Sequence, residues 1–228
     1  AYSTEMNDTE MILAALMNRR SIRYGFAPRP VGRRQLEHIV ACGLAAPSSK
    51  NAQPWRFHVV TQRSVLDGFA DAVSCADGID RYVPHDPRTG QPYSYYRSTV
   101  LESAQVLRDV PATIWIENLG AFSAGRETLL AVTPEALAPA LVGYGLELLG
   151  IGAAIENMWI AANALGLAAS FLGDVVVAEP AIAKELGIRG DLLGVMAIGY
   201  SESPPRPPID VPSFADSPRA IWHGSARA

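Results

Sequence analysis

Cysteine and lysine are scarce in this 228-residue chain, and each shortage narrows what it can be. Two cysteines, Cys42 and Cys75, exclude a disulfide framework and a thiolate metal cluster. Four histidines, His38, His58, His85 and His223, lie far apart and match no metal-ligand spacing. Only Lys50 and Lys184 of the 19 basic residues are lysines, so arginine must carry most of the cation work. Charged residues make up 18% and the net charge is −4, which argues against a dedicated nucleic-acid binder. A 49% hydrophobic composition excludes a disordered chain, and nothing repeats as in collagen or a coiled coil. There is no GxxxxGK[ST] phosphate loop, no GxGxxG and no Ser-His-Asp set with a nucleophile elbow. Glu147 and Glu156 stand nine residues apart, off a common helix face, and make no carboxylate pair. The sequence therefore nominates no acid–base catalytic residue and no metal site.

What is present reads as one domain over 1–228 with a sizeable core. The polar start AYSTEMNDTE does not resemble a signal peptide, and a cytoplasmic protein is expected. Apolar spacing predicts helices over 8–19, capped by Asp8 or Thr9, over 32–45 and over 62–76. One long helix, or two joined near Gly150–Gly152, is expected over 134–166. Its run Leu137–Ile155 is long enough to span a bilayer but holds Pro139, Glu147 and four glycines. It reads instead as a helix buried inside the protein or at a subunit interface. Strands are expected at 55–61, 112–117, 171–177 and 193–199, and a short helix around GRETLL. Residues 77–98 combine Gly and Pro with Tyr82, Tyr93, Tyr95 and Tyr96. Such a long irregular loop serves either as a lid or binding loop or as plain packing over the core or a partner. A proline-rich extension begins near 202.

Three stretches carry candidate chemistry. Arg19, Arg20, Ser21 and Arg23 place three guanidiniums and a hydroxyl where a helix gives way to a loop. Guanidinium forks bind phosphate oxygens bidentately, although a solvated basic surface has the same composition. The run Ala46–Trp55, with Pro47, Ser48, Ser49, Lys50 and Asn51, offers hydroxyls, amides and an ammonium between stiffening prolines. It suits a planar polar ligand and is also an ordinary polar turn. Gly166 ends a helix, a small-residue strand follows, and Gly173 lets a ligand approach the backbone.

Taken in order and spacing, these stretches resemble the nitroreductase family of flavin enzymes. The resemblance rests on RRSIR at 19–23, Pro30–Val31, Leu36 and Ile39, and APSSKNAQPW at 46–55. ENMWIAANALGL at 156–167, LGVMAIGY at 193–200 and Arg206 complete it. It implies an α+β fold: a mostly antiparallel sheet wrapped by helices, in an intertwined homodimer with the C-terminal extension embracing the partner. It implies that Arg19, Arg20, Ser21 and Arg23 hold the phosphate and ribityl chain of FMN, with Arg206 meeting the phosphate. Pro47, Ser48, Ser49 and Asn51 would contact FMN bound to the other subunit, and the Leu172–Gly173 backbone would face the ring. The family's further flavin contact has no counterpart in 62–80.

The implied activity is electron transfer from NADH or NADPH, through FMN, to a small aromatic acceptor such as a nitroaromatic or quinone. The flavin supplies the redox chemistry and the protein fixes its orientation. Within the same fold, a reductive dehalogenase or a dehydrogenase of a natural product is the alternative, with the tyrosines at 82, 93, 95 and 96 stacking on an aromatic substrate. A non-catalytic FMN-binding protein, or a nucleic-acid module built on Arg19–Arg34, are the readings from other classes. No membrane and no nucleic acid are expected as partners.

Overall fold

The computed structural model describes residues 7–79 and 83–202, together with positions 217, 219, 221 and 223. They belong to two units, one holding residues up to Arg19 and those beyond 203, the other Arg20–Ser203. In the first, helix α1 (Asp8–Asn18) starts at a capping box. The Asn7 side chain accepts from the Glu10 N–H, and the Glu10 carboxylate accepts from the Asn7 N–H at 2.9 Å. The cap is therefore Asn7 and not Asp8 or Thr9. Its side chain reaches the N–H three residues on, which neither of the others is placed to do.

The second unit is built on a four-stranded antiparallel sheet in the order β1-β2-β4-β3, with β1 Trp55–Val60, β2 Ala112–Asn118, β3 Ala168–Leu172 and β4 Asp191–Gly199. β2 is buried at every position, as a central strand covered on both faces must be. Alternation then sorts the side chains. Trp115, Leu172, Val195 and Ala197 face one core with α3 (Arg63–Ser74), α4 (Val100–Asp109) and α7 (Glu179–Leu186). Ile114, Ile116, Ala169, Met196 and Ile198 face the other, under α2 (Arg33–Leu44) and α6 (Pro134–Ala164). The short helix α5 (Arg126–Ala131) lies where GRETLL predicted one. The α+β class that the resemblance implies is the observed one.

The structure departs from expectation at β3 and adds two helices. The strand expected at 171–177 is β3 only as far as Leu172. Gly173 then turns the chain into a 3-10 segment, Asp174–Ala178, and the β-branched Val175 and Val177 fill the core from that turn. Helices α4 and α7 were not anticipated. Helix α6 is continuous through Gly150–Gly152, but it is not buried along its length. Its C-terminal half carries Ile151, Ala154, Met158 and Ala162 into the core, while Leu137, Leu141, Val142, Leu146, Leu148 and Leu149 are exposed. By length and composition α6 could cross a membrane.

One of the three charges on this apolar helix is buried. Glu147 is fully buried, and its carboxylate accepts from Asn118 Nδ2, Ser123 Oγ and the backbone N–H groups of Phe122 and Ser123, at 2.5–2.8 Å. It thereby fastens the chain leaving β2 to α6. Burial pushes its pKa up, but those hydrogen bonds together outweigh burial and hold it below the usual 4.5. Glu117, also fully buried, is treated alike: burial raises it, and the N–H groups of Gly190 and Arg189, with His58 and Arg56, bring it down further.

The unfolded chain, with ordinary carboxyls, binds these protons first as pH falls. The stability contributed by Glu117 and Glu147 is thus complete above about pH 4.5 and is lost as acid reaches their lower folded values. Urea midpoints should stay level from neutrality to pH 5 and fall steeply below. Glu147→Leu, which leaves all four donors without their acceptor, should lose about 3 kcal/mol at neutral pH and show a shallower acid limb. An unchanged acid limb in that variant would contradict the assignment.

Candidate functional site

The arginine segment is held against the outer edge of β3. Ser21 bridges Ala169 in parallel, and the Ile22 N–H donates to the Ala169 carbonyl at 3.0 Å. Trp159 Nε1, from α6, donates to the Arg20 carbonyl at 3.3 Å. A few residues on, the segment meets the end of β4: Ala27 N–H donates to the Tyr200 carbonyl, and Glu202 N–H to that of Gly25, both at 2.8 Å. Arg29 lies over the Tyr200 ring at 3.8 Å, and the Tyr200 hydroxyl bonds Gln35 at 3.1 Å. The loop is thus sewn down on both sides, and it presents Arg20, Ser21 and Arg23 along the outer edge of β3, near its start at Ala169. The Arg23 side chain is exposed and pairs with no group among the described residues.

Leu172 and Gly173 close β3 on the same edge. The Leu172 side chain is buried in the core, so only its backbone is available to a ligand. Gly173 is exposed, and a Cβ there would meet only the Phe171 ring, at 3.6 Å. The bare backbone ledge is therefore open in front. A glycine on the neighbouring strand makes it so. Gly194 has φ +144°, and a Cβ on it would stand 2.6 Å from both the Leu172 carbonyl oxygen and the Phe171 ring. Any side chain at 194 would push the ledge outward.

Asp174 follows immediately. Its carboxylate accepts from Ser103 Oγ at 2.6 Å and from Thr99 Oγ1 at 2.5 Å, both at the start of α4. Glu102, in the same turn, accepts from the Tyr24 hydroxyl. The start of α4 is therefore bonded both to the arginine segment and to the residue after the ledge. Sequence reading missed Gly194, Asp174 and the Tyr24–Glu102 pair. A lone glycine inside a strand was the available signal for the first. Nothing local marks the other two.

The 47–51 loop lies elsewhere on the chain. Ser48–Asn51 turns on itself, with Ser48 Oγ accepting from the Gln53 N–H at 3.0 Å. Lys50, Asn51 and Gln53 have φ of 50°, 54° and 46°, in the left-handed region that non-glycine residues seldom adopt. The loop rests on α6 at Gly150, where a Cβ would come within 3.2 Å of that of Ser48. Gly150 is nine residues from Trp159, which holds Arg20; at 1.5 Å per residue that is roughly 14 Å along the helix. Within one chain, then, the structure unites Arg20, Ser21, Arg23, Leu172 and Gly173, and it leaves Pro47, Ser48, Ser49 and Asn51 apart from them. Arg19 ends the other unit, and Arg206 and Tyr82 lie outside the described residues.

Two sizeable clefts contain none of these residues. One, of about 750 Å³, is lined by Val31, Leu36, Val40, Leu44, Val59 and Pro111. The other, of about 660 Å³, holds Arg56, Glu117, Arg126, Glu179 and Asp191, with Arg126 paired to Glu179 at 2.6 Å. Among the described residues no cluster of His, Cys, Asp or Glu could hold a metal ion.

The model of the nitroreductase family matches residues 16–200, a span that contains every element just described from the arginine segment to the end of β4. The chain belongs to the nitroreductase family. A protein of Archaeoglobus fulgidus described as an NADH dehydrogenase or NAD(P)H nitroreductase is 27% identical over 159 residues, 69% of this chain and 78% of its own length. A 4-nitrobenzoate reductase of Pseudomonas putida is 40% identical over 78 residues, 32% of this chain and 34% of its own length. The fold is shared with a nitroreductase of Desulfovibrio desulfuricans solved in complex with FMN, at 20% identity and TM-score 0.61 over 96% of this chain and all of that one. A BluB-like flavoprotein from Clostridium difficile superposes with TM-score 0.67 at 20% identity, again over 96% and 100%.

Gly194→Ala tests how the ledge is kept. It should cost about 1–3 kcal/mol in urea unfolding, whereas Gly173→Ala should leave stability nearly unchanged. Equal losses for the two would show that the ledge does not depend on the close approach of β4.

Proposed function

We propose that this member of the nitroreductase family is an FMN-dependent oxidoreductase that works as a homodimer, taking electrons from NADH or NADPH and delivering them to a small aromatic acceptor, nitroaromatic or quinone-like. The observation that carries this reading is the sharing of one sheet edge by the arginine segment and the bare Leu172–Gly173 backbone. FMN has an anionic phosphate at one end and a flat ring at the other. Cations beside a side-chain-free ledge match those two ends, and the residues present fit it. The names of the relatives, a nitrobenzoate reductase and an NAD(P)H nitroreductase, support the choice of acceptor and reductant.

In this reading Arg20 and Arg23 bind the phosphate, Ser21 adds a hydroxyl donor, and the Leu172–Gly173 backbone supports the ring's polar edge. Bound FMN supplies the two-electron chemistry. The protein holds the ring in place, and no side chain is needed to exchange a proton with it.

The second subunit supplies what a single chain leaves incomplete. The 47–51 loop is held in a costly backbone shape, yet it stands roughly 14 Å along α6 from the arginine segment. Strained loops of this kind persist where a site requires them. Beside it, α6 exposes Leu141, Val142, Leu146, Leu148 and Leu149, an apolar surface suited to burial against a second copy. Paired through α6, each copy would bring Pro47, Ser48, Ser49 and Asn51 to the other's FMN. The partners are thus a second copy and a small aromatic substrate, with no part for nucleic acid or membrane.

The purified protein should be yellow and release FMN close to equimolar with the chain. It should oxidise NADH or NADPH saturably with nitroaromatic or quinone acceptors. A colourless protein that takes up no added FMN would overturn the reading. Arg23→Ala should weaken FMN binding roughly 10- to 100-fold, with Arg23→Lys in between. Val142→Glu combined with Leu149→Glu should give a monomer in analytical ultracentrifugation, and FMN should be lost with the dimer.

A further inference from the structure

The long aromatic loop is ordered around a small two-stranded ribbon. Asp86 N–H donates to the Gln91 carbonyl and Tyr93 N–H to that of Pro84, at 2.9 and 3.0 Å, and His85 bridges Pro92. Asp86 closes the tip through its pair with Arg88 at 3.0 Å. At the base stand three rings. Tyr93 and Tyr95 lie 5.3 Å apart between centroids, Tyr95 and Tyr96 4.9 Å, and Tyr93 and Tyr96 6.4 Å. Tyr93 is half-buried, while Tyr95 and Tyr96 are 74% and 49% exposed. Aromatic groups of this size normally gain by leaving water. Here they are gathered at the surface.

Their position says what would cover them. Tyr96 precedes Thr99 by three residues, a span of at most about 11 Å. Thr99 and Ser103 donate to Asp174, the residue after the open Gly173. Glu102 is bonded to Tyr24, one residue beyond Arg23. The rings are thus tethered, through the first turn of α4, to both halves of the proposed FMN site.

We infer that Tyr95 and Tyr96, backed by Tyr93, are the specificity-determining platform on which a planar aromatic electron acceptor stacks before it is reduced. This rests on the FMN-dependent reading above and adds the residues that choose the acceptor. The occupant is a flat aromatic ring because offset stacking on two tilted tyrosines rewards that shape and charge distribution, and rewards a compact inorganic oxidant not at all.

The test compares nitrobenzene and 1,4-naphthoquinone with ferricyanide, using the FMN-loaded dimer and saturating reductant. In Tyr95→Ala and Tyr96→Ala, KM for the two aromatic acceptors should rise about tenfold, with kcat and FMN content unchanged. The ferricyanide rate should stay at the native level. Tyr95→Phe and Tyr96→Phe, which keep the ring, should remain within about twofold of native. A readout free of turnover is calorimetric titration with 2-naphthoate, which cannot be reduced: its Kd should rise in the alanine variants and not in the phenylalanine ones. The inference is overturned if the alanine variants keep native KM and Kd. It is equally overturned if ferricyanide turnover falls alongside, or if the effect is a weakened dimer, the sign of rings that pack or that meet a second copy. Loss of the FMN reading would show separately, as protein that binds no FMN in any variant.

Discussion

Pairing of the arginine segment with a sheet edge, through the Ser21–Ala169 bridge and the Ile22 N–H to Ala169 carbonyl hydrogen bond, sets where the arginines stand. An edge strand leaves a row of peptide groups unpaired, and most proteins cover or blunt that row. Here β3 is covered by the very loop that carries Arg20, Ser21 and Arg23. The protection of the edge and the placement of the cations are one event. The same strand ends in the exposed Gly173, so it delivers charge along its side and bare backbone at its tip. Tyr200, Gly25 and Ala27 close the loop from the β4 side. Displacing β3 would therefore carry off every part of the site that one chain contains.

The other end of the sheet is governed by buried charge. Glu117 and Glu147 would be costly in a dry interior if left alone. Each is instead surrounded by donors whose own peptide groups would otherwise be orphaned in a turn: Arg189 and Gly190 for one, Phe122 and Ser123 for the other. The carboxylates act as fixed ends for loops that possess little apolar surface. Fully satisfied polar clusters of this sort hold a backbone more specifically than apolar contact does. They explain how the connection out of β2 can be irregular and yet well placed beside α6.

Most elements were legible because their apolar periodicity is local: α2, α3, β1, β2, β4 and the long α6 all follow from spacing. Helix α4 was not, because VLESAQVLRD follows directly on the tyrosine loop and its start depends on side chains that tie it to Asp174. Val175–Val177 look like strand because β-branched residues favour extended backbone, and only the turn at Gly173 and the pull of the core override that preference. The arginine segment and the Leu172–Gly173 ledge were visible as motifs. That they touch was not, since 148 residues separate Ser21 from Ala169 and nothing in either signals the other. Nothing near Glu147 in sequence marks it as a fastening point, since its four donors lie 24 to 29 residues away. Gly194 could be seen but not weighed without knowing which backbone it faces.

The left-handed residues of the 47–53 loop have a consequence for how the chain can evolve. Lys50, Asn51 and Gln53 each hold a conformation that glycine would adopt freely, at a cost on the order of 1 kcal/mol apiece. Selection for stability alone would thus drift these positions toward glycine. Their present side chains mark a reserve of stability left unused, and descendants relieved of the loop's task would recover it by single substitutions.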